Sequence, residues 1–182
     1  MRRIYLVRHG QAAPAGILAG QTDYPLTEAG RQEIEALRAS LSDVKFDLAL
    51  VSPLTRARQT LAILSDGVEL PTRIEPGLSE ISLGLWEGLT KTEIQARWPL
   101  HWAWRGKNLA RNQAPGGESL EVLAQRVWPV FDRIKAAAGE KTLVVAHQAV
   151  NRVILAREKG WPLEKALDIA QPTGALTILE IL

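Results

Sequence analysis

Three short apolar runs constrain the fold of this chain more than any other feature of its sequence. They lie at residues 4–7, 46–51 and 142–146 and are rich in aliphatic side chains. Runs of this length are typical of strands that are buried on both faces of a sheet. Segments with helical periodicity separate them, and this alternation is typical of a parallel sheet covered by helices. The sequence therefore predicts an α/β fold, a three-layer α/β/α sandwich with a mainly parallel central sheet.

Capping residues and apolar spacing predict the remaining elements. Thr27 is a suitable N-cap for a helix over residues 28–40. Ser52 as N-cap and Pro53 as first helical residue predict a second helix that begins directly where the second strand ends. Further helices are predicted over residues 90–98, 118–138, 150–155 and 163–169, and further strands over residues 72–75 and 175–182.

Residues 98–117 interrupt the alternation, because they show no sustained period. Trp98, Trp102 and Trp104 lie in this segment among basic side chains. We interpret it as an inserted lid, whose tryptophans either stack on a substrate ring or cover an apolar face. The basic residues are Arg97, Arg105, Lys107 and Arg111, and the tryptophans expected to pack in the core are Trp86, Trp128 and Trp161.

Length and composition limit the function classes. The 182 residues are enough for one sizeable core, so residues 1–182 are expected to form a single domain. The net charge is only +2 and no polybasic tail is present, so no nucleic-acid partner is expected. Because the chain contains no cysteine, disulfides and cysteine-ligated metals are excluded.

The N-terminus resembles the start of a signal peptide only superficially. The apolar run after Arg3 ends after four residues at Arg8, which is too short for the apolar region of a signal peptide. No apolar stretch approaches the roughly 20 residues that span a bilayer. We therefore expect a cytoplasmic protein with no membrane partner.

The predicted strands deliver polar side chains at their carboxyl ends. Arg8 and His9 follow the first strand, Ser52 and Arg56 follow the second, and His147 follows the third. In a parallel sheet these ends meet at one edge, where ligands bind. Two histidines and two arginines beside helix N-termini favour a dianionic tetrahedral group, as in a phosphate monoester. Taken alone, the Arg-His-Gly tripeptide is equally well explained as a charged strand end before an ordinary turn.

In these motifs the sequence resembles the histidine phosphatase superfamily, which has the phosphoglycerate mutase-like fold. The motifs occur in the family's order and cover essentially the whole chain. They are Arg8-His9-Gly10, residues 25–30 (PLTEAG), residues 52–60 (SPLTRARQT), Glu80 with residues 84–88 (GLWEG), residues 115–119 (PGGES) and residues 146–148 (AHQ).

The resemblance implies a phosphohistidine mechanism without a metal or another cofactor. His9 is similar to the family's nucleophile, and Glu80 is similar to the acid that protonates the leaving oxygen and then activates water. Such an acid needs a raised pKa. The implied phosphate-binding residues are Arg8, Arg56 and His147, with Gln21 and Gln148 as further contacts. Glu87 is a rival acid, although a role in the turn is favoured, and Glu118-Ser119 either cap a helix or form the rim of the site.

Two positions depart from the family pattern. Many members carry a phosphate-contacting asparagine where this chain has Ala15, and Gln11 or Gln21 is a candidate substitute. His147 is followed by Gln148 where many members have glycine, which resembles α-ribazole phosphatase-like members and the bisphosphatase half of a bifunctional sugar-phosphate enzyme. We also expect the segment from Trp98 to Arg111 to contact an aromatic or sugar portion of the substrate, with Trp102 and Trp104 stacking on a ring and with Arg105, Lys107 and Arg111 meeting further negative charge. An α-ribazole-type nucleotide is the preferred substrate prediction, and a sugar or glycolytic phosphate is the next.

The function expected from the sequence is metal-independent hydrolysis of a small metabolite phosphate, with α-ribazole 5'-phosphate as one substrate. The alternatives are a phosphoglycerate mutase-type phosphotransferase, a protein phosphohistidine phosphatase and a non-catalytic phosphate-binding interaction module. The last alternative is disfavoured because all four central site residues are present, namely Arg8, His9, Arg56 and His147. The sequence leaves the oligomeric state open.

Overall fold

The computed structural model describes residues 1–14 and 16–181, and a five-stranded sheet lies at its centre. The strands in spatial order are β4 (Thr72–Ile74), β3 (Leu48–Val51), β6 (Lys141–Ala146), β1 (Arg2–Arg8) and β7 (Leu176–Ile181). Neighbouring strands from β4 to β1 pair in parallel, and β7 pairs antiparallel with β1 at the edge. A separate antiparallel ribbon is formed by β2 (Ile17–Leu18) and β5 (Leu89–Thr90).

Helices cover both faces of this sheet because side chains alternate along its buried strands. Tyr5 and Val7 belong to one core cluster, whereas Ile4 and Leu6 belong to the other. The first cluster includes residues of α1 (Glu28–Ser40) and α2 (Thr55–Leu64), and the second includes residues of α5 (Leu120–Ala137) and α6 (Gln148–Glu158). The arrangement confirms the predicted three-layer sandwich with a mainly parallel sheet. The other α-helices are α3 (Lys91–Arg97) and α4 (Pro99–Lys107). Short 3₁₀ helices cover Pro76–Leu78, Gly84–Trp86 and Leu163–Asp168, the last in place of the predicted helix 163–169.

The helix starts show where local capping decides the structure and where it does not. The Thr27 hydroxyl accepts a hydrogen bond from the Gly30 amide (3.1 Å), which confirms the predicted N-cap of α1. The second helix was predicted to begin at Pro53 with Ser52 as its N-cap, and this prediction is wrong because α2 begins at Thr55. A carboxylate distant in sequence, Asp23, accepts hydrogen bonds from both the amide and the hydroxyl of Thr55 (2.7 Å each), so a tertiary contact replaces the local cap.

The segment predicted to be irregular contains helix α4. Trp98 and Trp102 are four residues apart and both pack partly buried against the core, whereas Trp104 is 45% exposed. Burial of these two rings stabilises a helix that the sequence did not reveal, and residues 108–117 remain without regular structure. Among the three tryptophans predicted to pack, Trp86 and Trp128 do so, but Trp161 is 42% exposed.

Close backbone contact at Gly30 connects α1 to the loop that follows β1. A Cβ atom at this position would lie 2.0 Å from the carbonyl oxygen of Gln11. Helical glycine to alanine is ordinarily favourable by up to about 1 kcal/mol, but here the clash dominates. We expect Gly30→Ala to lower the free energy of unfolding in urea by about 1–3 kcal/mol.

Gly106→Ala is the matched control, because Gly106 is also helical and a Cβ there would meet nothing within 4 Å. This variant is expected to be unchanged or slightly stabilised. Equal stability of the two variants would contradict the proposed close contact at Gly30.

Candidate active site

Strand register brings the two predicted histidines together. The pairing of β1 with β6 places Arg8 opposite Ala146, so His9 and His147 follow at the same level of the sheet. Their ring centroids are 5.0 Å apart. The neighbouring strand β3 ends beside them, and the hydroxyl oxygen of Ser52 lies 2.6 Å from Nε2 of His147.

His9 is held in one tautomer. Its Nδ1 lies 2.7 Å from the carbonyl oxygen of Gly10, and because a carbonyl only accepts, Nδ1 carries the proton. Nε2 therefore carries no proton, and its lone pair accepts a hydrogen bond from Nε of Arg56 at 3.3 Å. Burial lowers the pKa of His9 to about 3, and repulsion from Arg56 and Arg8 acts in the same direction. The hydrogen bond to Gly10 opposes this shift but is outweighed. His9 is thus neutral over the ordinary pH range, and its Nε2 carries no proton.

Two arginines beside His9 are held by backbone carbonyl groups and make no ion pair within residues 1–14 and 16–181. Arg56 is almost fully buried and donates to the carbonyl oxygens of Thr22 (2.9 Å) and Gly20 (2.6 Å). Arg8 donates to the carbonyl oxygen of Gln171. Because carbonyl groups orient a guanidinium without neutralising it, both positive charges remain available to an anion.

His147 lies beside His9 and is completely buried. Burial first, and then repulsion from His9 and Arg56, lowers its pKa well below the ordinary value for histidine. Its Nδ1 has no hydrogen-bond partner within the described part of the chain. An unpaired polar atom in this position is suited to a ligand.

Glu80 lines a cavity that is also lined by Arg8, His9 and Arg56. Its Oε1 accepts from the amides of Ile81 (2.9 Å) and Ala149 (3.2 Å). Burial raises the pKa of Glu80, against the opposing effects of these hydrogen bonds and of Arg56. A carboxyl group in this environment keeps its proton to higher pH than an exposed glutamate does.

A clamp on helix α5 holds the loop that carries Glu80. Arg126 donates to the carbonyl oxygens of Gly77, Ser79 and Glu80, each at 2.9 Å. Glu118 accepts from Nε and Nη2 of Arg126 at 2.7 and 2.9 Å, so it fixes the guanidinium in place. Sequence reasoning missed Arg126, since its partners are backbone atoms about 46–49 residues away and leave no local signal.

Three other polar residues that the sequence singled out make contacts that hold the fold together. They are Glu118, Ser119 and Glu87. Besides the clamp, Glu118 accepts from the Ser82 amide (2.8 Å), and Ser119 caps α5 by accepting from the Val122 amide (3.2 Å). Glu87 accepts from the Thr22 hydroxyl (3.1 Å) and the Leu83 amide (3.0 Å). These contacts are those of a turn residue, which is the interpretation that the sequence favoured for Glu87.

The three glutamines that the sequence indicated as candidate phosphate contacts differ in their surroundings. Gln148 lines the cavity and donates to the carbonyl oxygen of Gln171 (3.2 Å). Gln11 also lines it, with its side-chain oxygen bound by the Thr27 hydroxyl at 2.9 Å. Gln21 is exposed and donates to the Glu80 carbonyl oxygen (2.9 Å), so its phosphate contact stays a prediction. Ala15, the position of the missing asparagine, lies outside the described residues.

A cavity of about 630 Å³ is lined by six of these residues: Arg8, His9, Gln11, Arg56, Glu80 and Gln148. A volume of this size accommodates a small-molecule ligand larger than a phosphate group. Its outer wall includes Trp86, Trp102 and Arg105. Within residues 1–14 and 16–181, no three His, Cys, Asp or Glu side chains are placed to hold a metal ion.

The same described residues contain no helix with the length and apolar character needed to cross a bilayer.

Comparison with known proteins agrees with this geometry. The family model of the histidine phosphatase superfamily (branch 1) matches residues 4–182. Adenosylcobalamin/alpha-ribazole phosphatase of Salmonella typhimurium strain LT2 is 33% identical over 190 residues, covering 98% of this chain and 90% of the relative. A 2,3-bisphosphoglycerate-dependent phosphoglycerate mutase of Sinorhizobium fredii is 32% identical, with 98% and 89% covered. The crystal structure of the alpha-ribazole phosphatase from Shigella flexneri superposes with a TM-score of 0.91 at 27% identity, covering 98% and 90%.

The fold and the site define an α/β enzyme of the phosphoric monoester hydrolase class, as the sequence predicted. The chain belongs to the histidine phosphatase superfamily.

The low pKa of His9 has a consequence for stability. Between the ordinary histidine pKa of 6.5 and about 3, the unfolded chain binds a proton at this position and the folded chain does not. We therefore expect the free energy of unfolding to decrease as pH falls below about 6.5, with His9 contributing up to about 1.4 kcal/mol per pH unit. In phosphate-free buffer, the decrease should be smaller in His9→Gln.

The control for this measurement is His101→Gln, which removes an exposed histidine. A pH dependence in His9→Gln as steep as that of the native protein would contradict the assignment.

Proposed function

We propose that this protein hydrolyses phosphate monoesters through a phosphohistidine on His9, without a metal ion. The observation that carries the proposal is the fixed tautomer of His9, which leaves Nε2 unprotonated between Arg8 and Arg56. The two guanidinium groups supply the positive charge that stabilises the equatorial oxygens during phosphoryl transfer. Divalent cations fulfil that role in many other phosphotransferases.

The reaction has two steps. In the first, Nε2 of His9 attacks phosphorus, the bond from phosphorus to the ester oxygen breaks, and the Glu80 carboxyl group donates its proton to the departing oxygen. In the second, the Glu80 carboxylate accepts a proton from water as that water attacks phosphorus. The nitrogen–phosphorus bond breaks, inorganic phosphate leaves, and both His9 and Glu80 return to their starting states.

Ser52 and His147 complete the proposed phosphate pocket. The Ser52 hydroxyl oxygen accepts from the Leu54 amide (3.3 Å), so its own proton is free for Nε2 of His147. With Nε2 as acceptor, the imidazole proton lies on the unpaired Nδ1 and is available to a phosphate oxygen. Ser52, which the sequence indicated as a helix cap, thus orients a phosphate-binding histidine.

The proposed substrate is a small metabolite phosphate. Residues 1–182 are proposed to act as a single domain, and the cytoplasmic location remains a prediction. An α-ribazole-type nucleotide is one candidate, in keeping with a relative of that name. A mutase reaction is a second candidate function, because a relative of nearly equal identity is a phosphoglycerate mutase. The two functions differ in whether water or a second substrate takes the phosphoryl group.

Turnover of an aryl phosphate is expected to persist in excess EDTA and to disappear in His9→Ala. Brief mixing with ³²P-labelled substrate should yield protein label that is stable to base and labile to acid, as phosphohistidine is. Loss of activity in chelator with recovery on added metal would overturn the mechanism, and so would label on a serine.

Glu80→Gln is expected to slow hydrolysis of alkyl phosphates by about 10²–10⁴-fold, because their leaving oxygen needs a proton. p-Nitrophenyl phosphate should be affected less in the phosphorylation step, measured as the burst of p-nitrophenol. Glu87→Gln is the matched carboxylate control. Equal effects of the two variants on both substrates would contradict the role of Glu80.

Arg126→Met tests the clamp in the same assay. We expect Arg126→Met to slow hydrolysis of alkyl phosphates more than that of p-nitrophenyl phosphate, as Glu80→Gln does but by a smaller factor. The reason is that the substitution releases the Glu80 backbone while the Glu80 carboxyl group remains. Arg133→Met removes an exposed arginine from the same helix and should leave the ratio between the two substrates unchanged.

A further inference from the structure

The two arginines beside His9 are held very differently. Within residues 1–14 and 16–181, the Arg8 guanidinium makes one hydrogen bond, which the Gln171 carbonyl oxygen accepts, and its buried Nε has no partner. Arg56 makes three such bonds, two to carbonyl oxygens and one to Nε2 of His9. The orientation of Arg8 therefore depends on a single carbonyl group.

That carbonyl group lies in a loop over residues 169–175, which contains neither helix nor strand. The loop is attached to the end of β1, because the Gly174 amide donates to the His9 carbonyl oxygen (3.2 Å) and the Arg8 amide donates to that of Ala175 (2.9 Å). These two contacts lie three and four residues after Gln171. They hold the loop beside β1, but the Gln171 carbonyl group itself needs a further contact to be fixed.

A side-chain hydrogen bond from helix α6 supplies this contact. Nδ2 of Asn151 donates to Oε1 of Gln171 at 3.1 Å, and both residues are buried. Asn151 lies one turn after His147, whose carbonyl oxygen accepts from the Asn151 amide (2.9 Å). Asn151 thus joins the helix that begins after His147 to the loop that holds Arg8.

Asn151 is a polar residue at a position where an apolar one would pack better. It is completely buried, and its helix neighbours Val150, Val153 and Ile154 belong to the core. Its Oδ1 has no hydrogen-bond partner within the described part of the chain. A buried polar atom without a partner destabilises a fold, and asparagine forms helices less readily than leucine does. The benefit of asparagine here therefore lies in the direction of its side-chain hydrogen bond.

We propose that Asn151 is a positioning residue, which through Gln171 orients Arg8 toward a phosphate group at His9. The proposal rests on the proposed hydrolase function, because it assumes that Arg8 binds phosphate. A guanidinium recognises an anion through directed hydrogen bonds, so it binds less well when its plane is turned. Loss of the Asn151 contact should then weaken anion binding although every phosphate-binding side chain is still present.

The test removes the contact from either side. Asn151→Leu removes the donor and Gln171→Met removes the side-chain acceptor, and both leave the Gln171 carbonyl group and the net charge unchanged. The probes are inorganic phosphate and orthovanadate, which resembles the transition state of phosphoryl transfer. Their binding, measured by calorimetry, is expected to weaken by about fivefold to thirtyfold in each variant, because a directed hydrogen bond to the anion is lost.

Two double variants separate positioning from a general loss of structure. Asn151→Leu with Gln171→Met should bind orthovanadate no more weakly than the more affected single variant, since both substitutions remove the same contact. In an Arg8→Met background, Asn151→Leu should have no further effect, since the group that it positions is absent.

Val153→Ala is the structural control, because it removes completely buried side-chain volume from the same helix. This variant is expected to have a lower Tm and an unchanged affinity for both anions. All binding is measured at a temperature at which thermal unfolding shows every variant to be folded. If Asn151→Leu does not fold, Gln171→Met provides the same comparison in the native and Arg8→Met backgrounds.

Three results would overturn the role of Asn151. They are additive effects of Asn151→Leu and Gln171→Met, an undiminished effect in the Arg8→Met background, and native anion affinity in the folded single variants. Gln148 donates to the same Gln171 carbonyl oxygen (3.2 Å) and gives one more distinction. An effect that disappears in Gln148→Met but persists in Arg8→Met would overturn the assignment to Arg8.

The binding measurements do not require turnover, so the two proposals fail separately. The expected pattern of anion affinities without any hydrolysis by the native protein would overturn the proposed function and support the role of Asn151. Hydrolysis by the native protein without this pattern would overturn the role of Asn151 alone.

Discussion

The parallel pairing of β1 with β6 is the constraint on which the rest of the site depends. Its register places Arg8 opposite Ala146, and each strand is followed directly by a histidine. A shift of one residue would exchange the two faces of a strand, so that each apolar side chain would face the wrong core cluster. The buried alternation of Ile4, Leu6 and their neighbours therefore fixes the position of His9 relative to His147. Hydrophobic burial sets the geometry, and the polar groups make use of it.

The electrostatic design of the site follows from how its arginines are held. Arg8 and Arg56 contact backbone carbonyl oxygens instead of carboxylates, so they are oriented without being neutralised. Their charge, together with burial, keeps His9 neutral, while burial keeps the Glu80 carboxyl group protonated to higher pH. These are the properties that the proposed hydrolysis of a dianionic ester requires of its nucleophile, its acid and its phosphate-binding groups.

Loops far apart in sequence are assembled around this centre by hydrogen bonds to backbone atoms. The Arg126 clamp supports the Glu80 loop from helix α5, and the Gln171 carbonyl group orients both Arg8 and Gln148. Such carbonyl contacts place few demands on the identity of the partner residue. They explain how a short chain builds a precise site from segments that have little regular structure.

The sequence by itself determined the five strands of the central sheet, the α/β order, the Thr27 cap and the placement of four polar residues near strand ends, namely Arg8, His9, Arg56 and His147. Periodicity, capping and turn chemistry act over a few residues, so they can be recognised in the sequence. Only the tertiary structure decided that Ser52 serves His147, 95 residues away, and that Asp23 caps α2. It also decided that Trp98 and Trp102 stabilise a helix. These outcomes depend on packing between distant segments, and no local pattern encodes which side chain or carbonyl group a residue will meet.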